Sequence, residues 1–213
     1  MVKVVPTILV KSREEFEKRL RLVEPFVERV QWDIMDGVFV QNKTFSDTSI
    51  LKDLETKLVI EADLMVADPQ NWIERFVRTA VDRLIFHIES TSEPEVLIQD
   101  AKLAGFEVGL TLDPDTPLKQ VQDYLEEIDL FQAMGVKSGW GGQEFISEVL
   151  DRIGEVRRSF LELDISVDGG VNAETAPEIV AAGANILCAG SCIFDSDNMK
   201  EAIRQLREAG NRQ

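Results

Sequence analysis

Short apolar, β-branched runs alternate with longer charged stretches along the whole chain. The runs cover residues 2–9, 29–35, 57–62, 82–88, 107–112, 130–136, 164–168 and 185–189. Each is apolar nearly throughout, as a parallel strand covered on both faces must be. The stretches between them carry helical patterns. Ser12-Arg13-Glu14-Glu15 places a capping box before an apolar run,. Pro69, Pro94 and Pro117 stand near the starts of other helices, and Gly105 and Gly183 near the ends of two more,. Eight strands alternating with helices in 213 residues predict an α/β chain forming a single (β/α)₈ TIM barrel over residues 1–213. No G-x-G-x-x-G follows the first strand, so a dinucleotide-binding sheet loses support.

The formal net charge of −16 argues against nucleic acid and anionic membranes as partners, because both require clustered Lys and Arg. No apolar run is long enough to span a bilayer. The start, MVKVVPTILVKSREEF, lacks the apolar stretch and cleavage site of a secretory signal. These features predict a cytoplasmic protein. Cys188 and Cys192 fit neither a disulfide framework nor a C-x-x-C motif and read as small core residues,. His87 is the only histidine, which excludes any site that needs two.

Two sets of strand-end residues carry candidate chemistry. Gly139-Trp140-Gly141-Gly142-Gln143, Asp168-Gly169-Gly170 and Ala189-Gly190-Ser191 follow the last three strands. Phosphate sites in such barrels use the loops after the late strands, where glycine lets backbone N–H groups approach the anion. Lys137 is the one cation beside them. The second set is acidic: Asp33, Asp36, Asp63 and Asp168. Asp33 and Asp168 come from strands on nearly opposite sides of the barrel. They can therefore flank a ligand and move a proton off one face of a carbon and onto the other. Asp36, followed by Gly37, suits a loop hydrogen bond better. Met35, Met65 and Met134 also fall at strand ends, where apolar filling is the default reading.

These residues resemble the ribulose-phosphate 3-epimerase family over nearly the whole chain. The matching motifs are Pro6-Thr7-Ile8-Leu9, Asp33-Ile34-Met35-Asp36-Gly37-Val38-Phe39-Val40, Leu64-Met65-Val66, His87-Ile88-Glu89, Leu112 to Pro117, Gly139 to Phe145, Val167 to Asn172 and Ala189 to Phe194. The resemblance implies a barrel of the ribulose-phosphate-binding type that epimerises C3 of a ketopentose 5-phosphate through an enediolate. It implies Asp33 and Asp168 as the acid/base pair. It also implies Met35, Met65 and Met134 around the intermediate, with Thr7 and His87 as further substrate-binding positions. Gly141, Gly142, Gly169, Gly170, Gly190 and Ser191 would bind the phosphate. A homo-oligomer is a further implication, since the family often forms dimers or larger assemblies.

The departures concern the metal. The family binds a divalent ion through two histidines and the two aspartates, and the histidine positions are Gln31 and Asp63 here. His87 matches a different family histidine. The family's Asn-Pro pair is Lys137-Ser138, and its loop aromatic is Trp140. Gln31, Asp33, Asp63 and Asp168 form an oxygen-rich set that suits Mg²⁺ or Mn²⁺ better than Zn²⁺. The residues leave open a hard-metal site or none. Without metal, the clustered carboxylates should raise at least one pKa. Three functions follow: an epimerase; a catalytically silent phosphosugar-binding protein; or a relative of hexulose-phosphate synthase. The last expects D-x-K-x-x-D at the third strand, where Glu61-Ala62-Asp63-Leu64-Met65-Val66 lacks the lysine and the final aspartate.

Overall fold

The computed structural model describes residues 2–209. Eight strands form a closed barrel in sequence order: β1 (Lys3–Ile8), β2 (Arg29–Met35), β3 (Val59–Met65), β4 (Val81–His87), β5 (Glu107–Leu112), β6 (Leu130–Met134), β7 (Asp164–Asp168) and β8 (Ile186–Ala189). Every neighbouring pair is parallel, and β1 closes on β8. Around them run α1 (Arg13–Val23), α2 (Gln70–Phe76), α3 (Pro94–Leu103), α4 (Lys119–Gln122), α5 (Val149–Ser159), α6 (Ala176–Ala182), α7 (Ser191–Phe194) and α8 (Met199–Ala209).

The predicted helix signals act where the sequence puts them. Ser12 caps α1, its Oγ accepting from the Glu15 N–H at 3.2 Å. Pro94 opens α3, Pro69 precedes α2, and Gly183 closes α6. Between β2 and β3 there is only a 3₁₀ turn, Thr48–Lys52, in place of an α-helix. Only Ile50 and Leu51 of that turn are buried, too narrow an apolar stripe for a longer helix,. The third strand is displaced from its predicted span and runs on to Met65. Asp63 is therefore inside β3 rather than after it. A carboxylate on the inward face of a barrel strand breaks an apolar run without ending the strand.

The two-residue period of the strands divides the buried residues. Trp32, Ile34, Leu64, Leu84 and Phe86 join the helices in one large apolar core. Burying each of these side chains contributes about 1.5–3 kcal/mol. Inside the barrel, Val5, Ile85, Leu130, Ile186 and Cys188 form a separate apolar plug. On β4 the order Arg83, Ile85, His87 shows how that plug separates two polar layers. The layer at the N-terminal ends of the strands is an ion network. Arg29 binds Asp82 through two hydrogen bonds of 2.6 and 2.7 Å. Arg83 joins Glu61 at 3.0 Å and Glu107 at 2.6 Å. The layer at the C-terminal ends holds the candidate site. Among the described residues, no helix is long and apolar enough to cross a membrane.

Candidate active site

Gln31, Asp33 and Met35 are alternate residues of β2, and Glu61, Asp63 and Met65 are their register partners on β3. This alternation sends Gln31, Asp33 and Asp63 into the barrel, where all three are buried. Asp168 ends β7, and His87 ends β4. Carboxylate oxygens of Asp33, Asp63 and Asp168 all lie within 4.8 Å of one another. The predicted acid/base pair is thus brought together, and Asp63 joins it.

Amide and imidazole groups surround the cluster. Gln31 Nε2 donates to Asp33 Oδ1 at 3.1 Å and to Asp168 Oδ2 at 2.8 Å. Gln132 Nε2 donates to Asp63 Oδ2 at 3.1 Å, and Ser166 Oγ donates to Gln132 Oε1 at 3.1 Å. His87 Nε2 lies 3.2 Å from Asp63 Oδ1. The contact does not meet hydrogen-bond geometry and is an ion pair when the imidazole is protonated,. The other face of the imidazole is covered by Phe39, with ring centroids 5.2 Å apart. Sequence reasoning missed Gln132 and Ser166. Their signal was available: polar residues at inward positions of strands that otherwise read as apolar.

Burial and like charge change the acidities here. Burial pushes Asp33 well above its ordinary value, and Asp168 and Asp63 push it further, against the Gln31 hydrogen bond. Asp168 rises from 3.8 to about 7, first through burial and then through Asp63, with the Gln31 and Gly169 N–H groups opposing. The expected rise in a carboxylate pKa is therefore present. For His87, burial pulls downward, but Asp63, Glu89 and Asp113 outweigh it and hold the imidazole above its usual value. Asp36 behaves differently. Burial favours its neutral form, yet the N–H groups of Ala67, Val38 and Phe39 hold its carboxyl below the usual range. Those bonds, at 2.8, 2.8 and 3.0 Å, tie the β2 and β3 loops together, as the loop reading of Asp36 anticipated.

A cavity of about 460 Å³ opens beside Asp168. Its lining includes Gly141, Gly142, Gly169, Gly170, Gly190 and Ser191, all six predicted phosphate positions. Gly170 has φ 69°, and a Cβ there would stand 2.7 Å from the Phe145 Cα. No other residue fits that turn. Gly142 also has a positive φ, 75°, but faces open space. Thr7 is buried beside this wall, and a Cβ on Gly190 would meet its Oγ1 at 2.7 Å. A small adjoining cavity is lined by Asp33, Asp168 and the three methionines Met35, Met65 and Met134. The two cavities share Gly141, Asp168 and Gly169 in their walls, so the two aspartates and the glycine cradle are immediate neighbours. Trp140 is exposed at its rim. Lys137 pairs with Asp115 at 3.5 Å and does not line the larger cavity.

The three carboxylates can hold a divalent ion. All three are buried, all offer oxygen, and Gln31 Oε1 beside them is buried with no donor. Cys188 is buried on β8 and Cys192 is half-buried, and neither forms a disulfide.

Comparison with known proteins follows the same lines. A model of the ribulose-phosphate 3-epimerase family matches residues 3–194. Ribulose-phosphate 3-epimerase of Bacillus subtilis is 36% identical, with 97% of this chain and 99% of that protein covered. The cytoplasmic isoform from rice, Oryza sativa subsp. japonica, is 34% identical, with 89% and 85% covered. Among solved structures, 3-hexulose-6-phosphate synthase from Salmonella typhimurium superposes with a TM-score of 0.73 at 16% identity, covering 98% of each chain. That likeness concerns the barrel alone. A family match of this extent, on a barrel whose predicted site residues converge, makes the chain a member of the ribulose-phosphate 3-epimerase family and an epimerase.

Proposed function

We propose that this protein interconverts ribulose 5-phosphate and xylulose 5-phosphate by inverting C3, with Asp33 and Asp168 as the proton-transfer pair. The observation that carries this reading is the pair itself: two buried aspartates from β2 and β7, on nearly opposite sides of the barrel, sharing the Gln31 amide and bordering the glycine cradle. The reaction requires one carboxylate to remove the C3 proton from one face while the other, protonated, returns a proton to the opposite face. Two like charges in a buried space resist joint ionisation, so the pair retains a proton near neutral pH,. Met35, Met65 and Met134 line the same space with apolar sulfur side chains, which neither donate nor accept protons from an enediolate,. The glycine cradle would hold the 5-phosphate through backbone N–H groups, which accounts for phosphate binding in a strongly acidic chain,.

Asp33, Asp63 and Asp168 would hold the metal ion. Their oxygen donors favour Mg²⁺ or Mn²⁺ over Zn²⁺,. Such an ion, when bound, supplies positive charge against the enediolate. We place the protein in the cytoplasm, as a homo-oligomer with a small phosphorylated sugar as its ligand and no nucleic-acid partner.

The test is solvent isotope exchange. Incubation with ribulose 5-phosphate in D₂O, with and without Mg²⁺ or Mn²⁺, should place deuterium at C3 and yield xylulose 5-phosphate by NMR. Thermal stabilisation by the sugar phosphate with no exchange under any condition would instead identify a silent binding protein.

A further inference from the structure

Gln31 sits where positive charge would be expected. It is fully buried, and its one side-chain nitrogen reaches both proton-transfer aspartates, Asp33 at 3.1 Å and Asp168 at 2.8 Å. Its oxygen, equally buried, meets no donor. Turning the amide over would satisfy neither end, since Oε1 would then face two carboxylate oxygens. The nitrogen-inward orientation therefore prevails unless a cation enters. The third carboxylate is served separately. Asp63 accepts from Gln132 at 3.1 Å and lies 3.2 Å from the His87 imidazole. Each member of the cluster thus faces an N–H group supplied by the chain itself. Hydrogen bonds to ionised acceptors are about twice as strong as neutral ones, and more so away from water.

We propose that the Gln31 carboxamide is a positioning residue that stands in for a cation between Asp33 and Asp168. It holds the pair together without a metal ion, and an incoming ion must displace it from both oxygens. The activity arm of the test rests on the epimerase reading, whereas the binding arm does not. The free amide oxygen is the trace of this arrangement. It tolerates an unmet acceptor because the nitrogen makes two hydrogen bonds to carboxyl oxygens in exchange.

The test begins with protein stripped by chelator and checked for metal by elemental analysis. Mn²⁺ binding is then measured by calorimetry for the parent chain and for Gln31→Met, which keeps the length and removes both polar atoms. The amide competes with the ion, so Gln31→Met should bind Mn²⁺ about tenfold tighter or more. Weaker binding would show Gln31 to be a metal ligand through Oε1, and unchanged binding would show a filler; either overturns the proposal. Should Gln31→Met not fold, Gln31→Asn is too short to span both aspartates and should tighten Mn²⁺ in the same direction to a smaller extent. In the activity arm, the stripped parent should still exchange C3 hydrogen. Stripped Gln31→Met should lose about 100-fold in kcat with little change in KM. A parent that exchanges only when loaded with metal overturns the proposal but leaves the epimerase reading intact. If no form exchanges, the epimerase reading fails, and the sign of the Mn²⁺ change still decides the role of Gln31.

Discussion

The two ends of the barrel interior treat charge in opposite ways. At the N-terminal end, Glu61 is buried against Arg83 and Arg29, and Asp82 and Glu107 complete the network. A cavity of about 680 Å³ opens there, larger than the one beside Asp168, and Arg29, Arg83 and Arg207 line it. Arg29 and Arg83 are already bonded to carboxylates, so this end is a structural closure. At the C-terminal end, three carboxylates meet with one imidazole and two amides for company. Opposite charges paired at one end stabilise the fold. Like charges crowded at the other cost stability and shift the acidities of Asp33 and Asp168 upward, as at many functional sites,. Cavity size alone would have selected the wrong end. The charge pattern selects the end at which barrel enzymes place their chemistry.

Four experiments would break or sharpen this contrast. The largest effect is expected from Asp168→Asn, which should lower kcat for C3 exchange by about 10²–10⁴-fold. The same change should stabilise the protein, because it removes one of the crowded charges. The sign follows from linkage. Asp168 has a folded pKa of about 7 against an ordinary 3.8, so its contribution to stability is full below 3.8 and lost as pH rises to about 7,. The melting temperature of metal-free Asp168→Asn should therefore exceed that of the parent by a margin that grows from pH 4 to 7 and then levels off. A margin that shrinks with pH would contradict the geometry. At the other end, Arg83→Met should cost about 3 kcal/mol in urea unfolding, because it leaves Glu61 buried with only Arg29,. The double change Glu61→Leu with Arg83→Met should recover most of that loss. Gly170→Ala forces a side chain into a left-handed turn against Phe145, and should cost about 1–3 kcal/mol while raising KM for the sugar phosphate,. The smallest effect belongs to the surface. Glu201→Gln breaks an exposed pair with Arg204 on α8 and should leave the urea midpoint and melting temperature unchanged within error,.

The strands were legible because a parallel strand covered on both faces is an apolar run, and most of the runs carry that signature to within a residue or two,. The third strand was misjudged because Asp63 interrupts its run. That interruption is the mark of an inward polar position at the active end. The glycine loops could be read because glycine has few reasons to cluster after strands, and one cavity gathers all six predicted phosphate positions. The network behind the cluster was only half legible: inward polar residues in apolar strands marked its members but not their partners. Gln132 reaches Asp63 from β6 and Ser166 on β7 braces Gln132, far along the chain, and no local pattern announces which groups such side chains will meet.

The sequence by itself determined the eightfold alternation, the caps and stops, the glycine loops and the two aspartates, because each depends on local backbone chemistry or on the burial period of one element. It also placed Gln31 and Asp63 on or just after the strands that carry the acidic cluster. What those residues do was decided only when the barrel closed. Closure brings β2 and β7 near enough for one amide to bond both aspartates, and β4 near enough for His87 to face Asp63. The physical reason is the dielectric. In water, these groups would be independent and ordinary; inside the barrel, desolvation couples them, and the coupling sets their charge,.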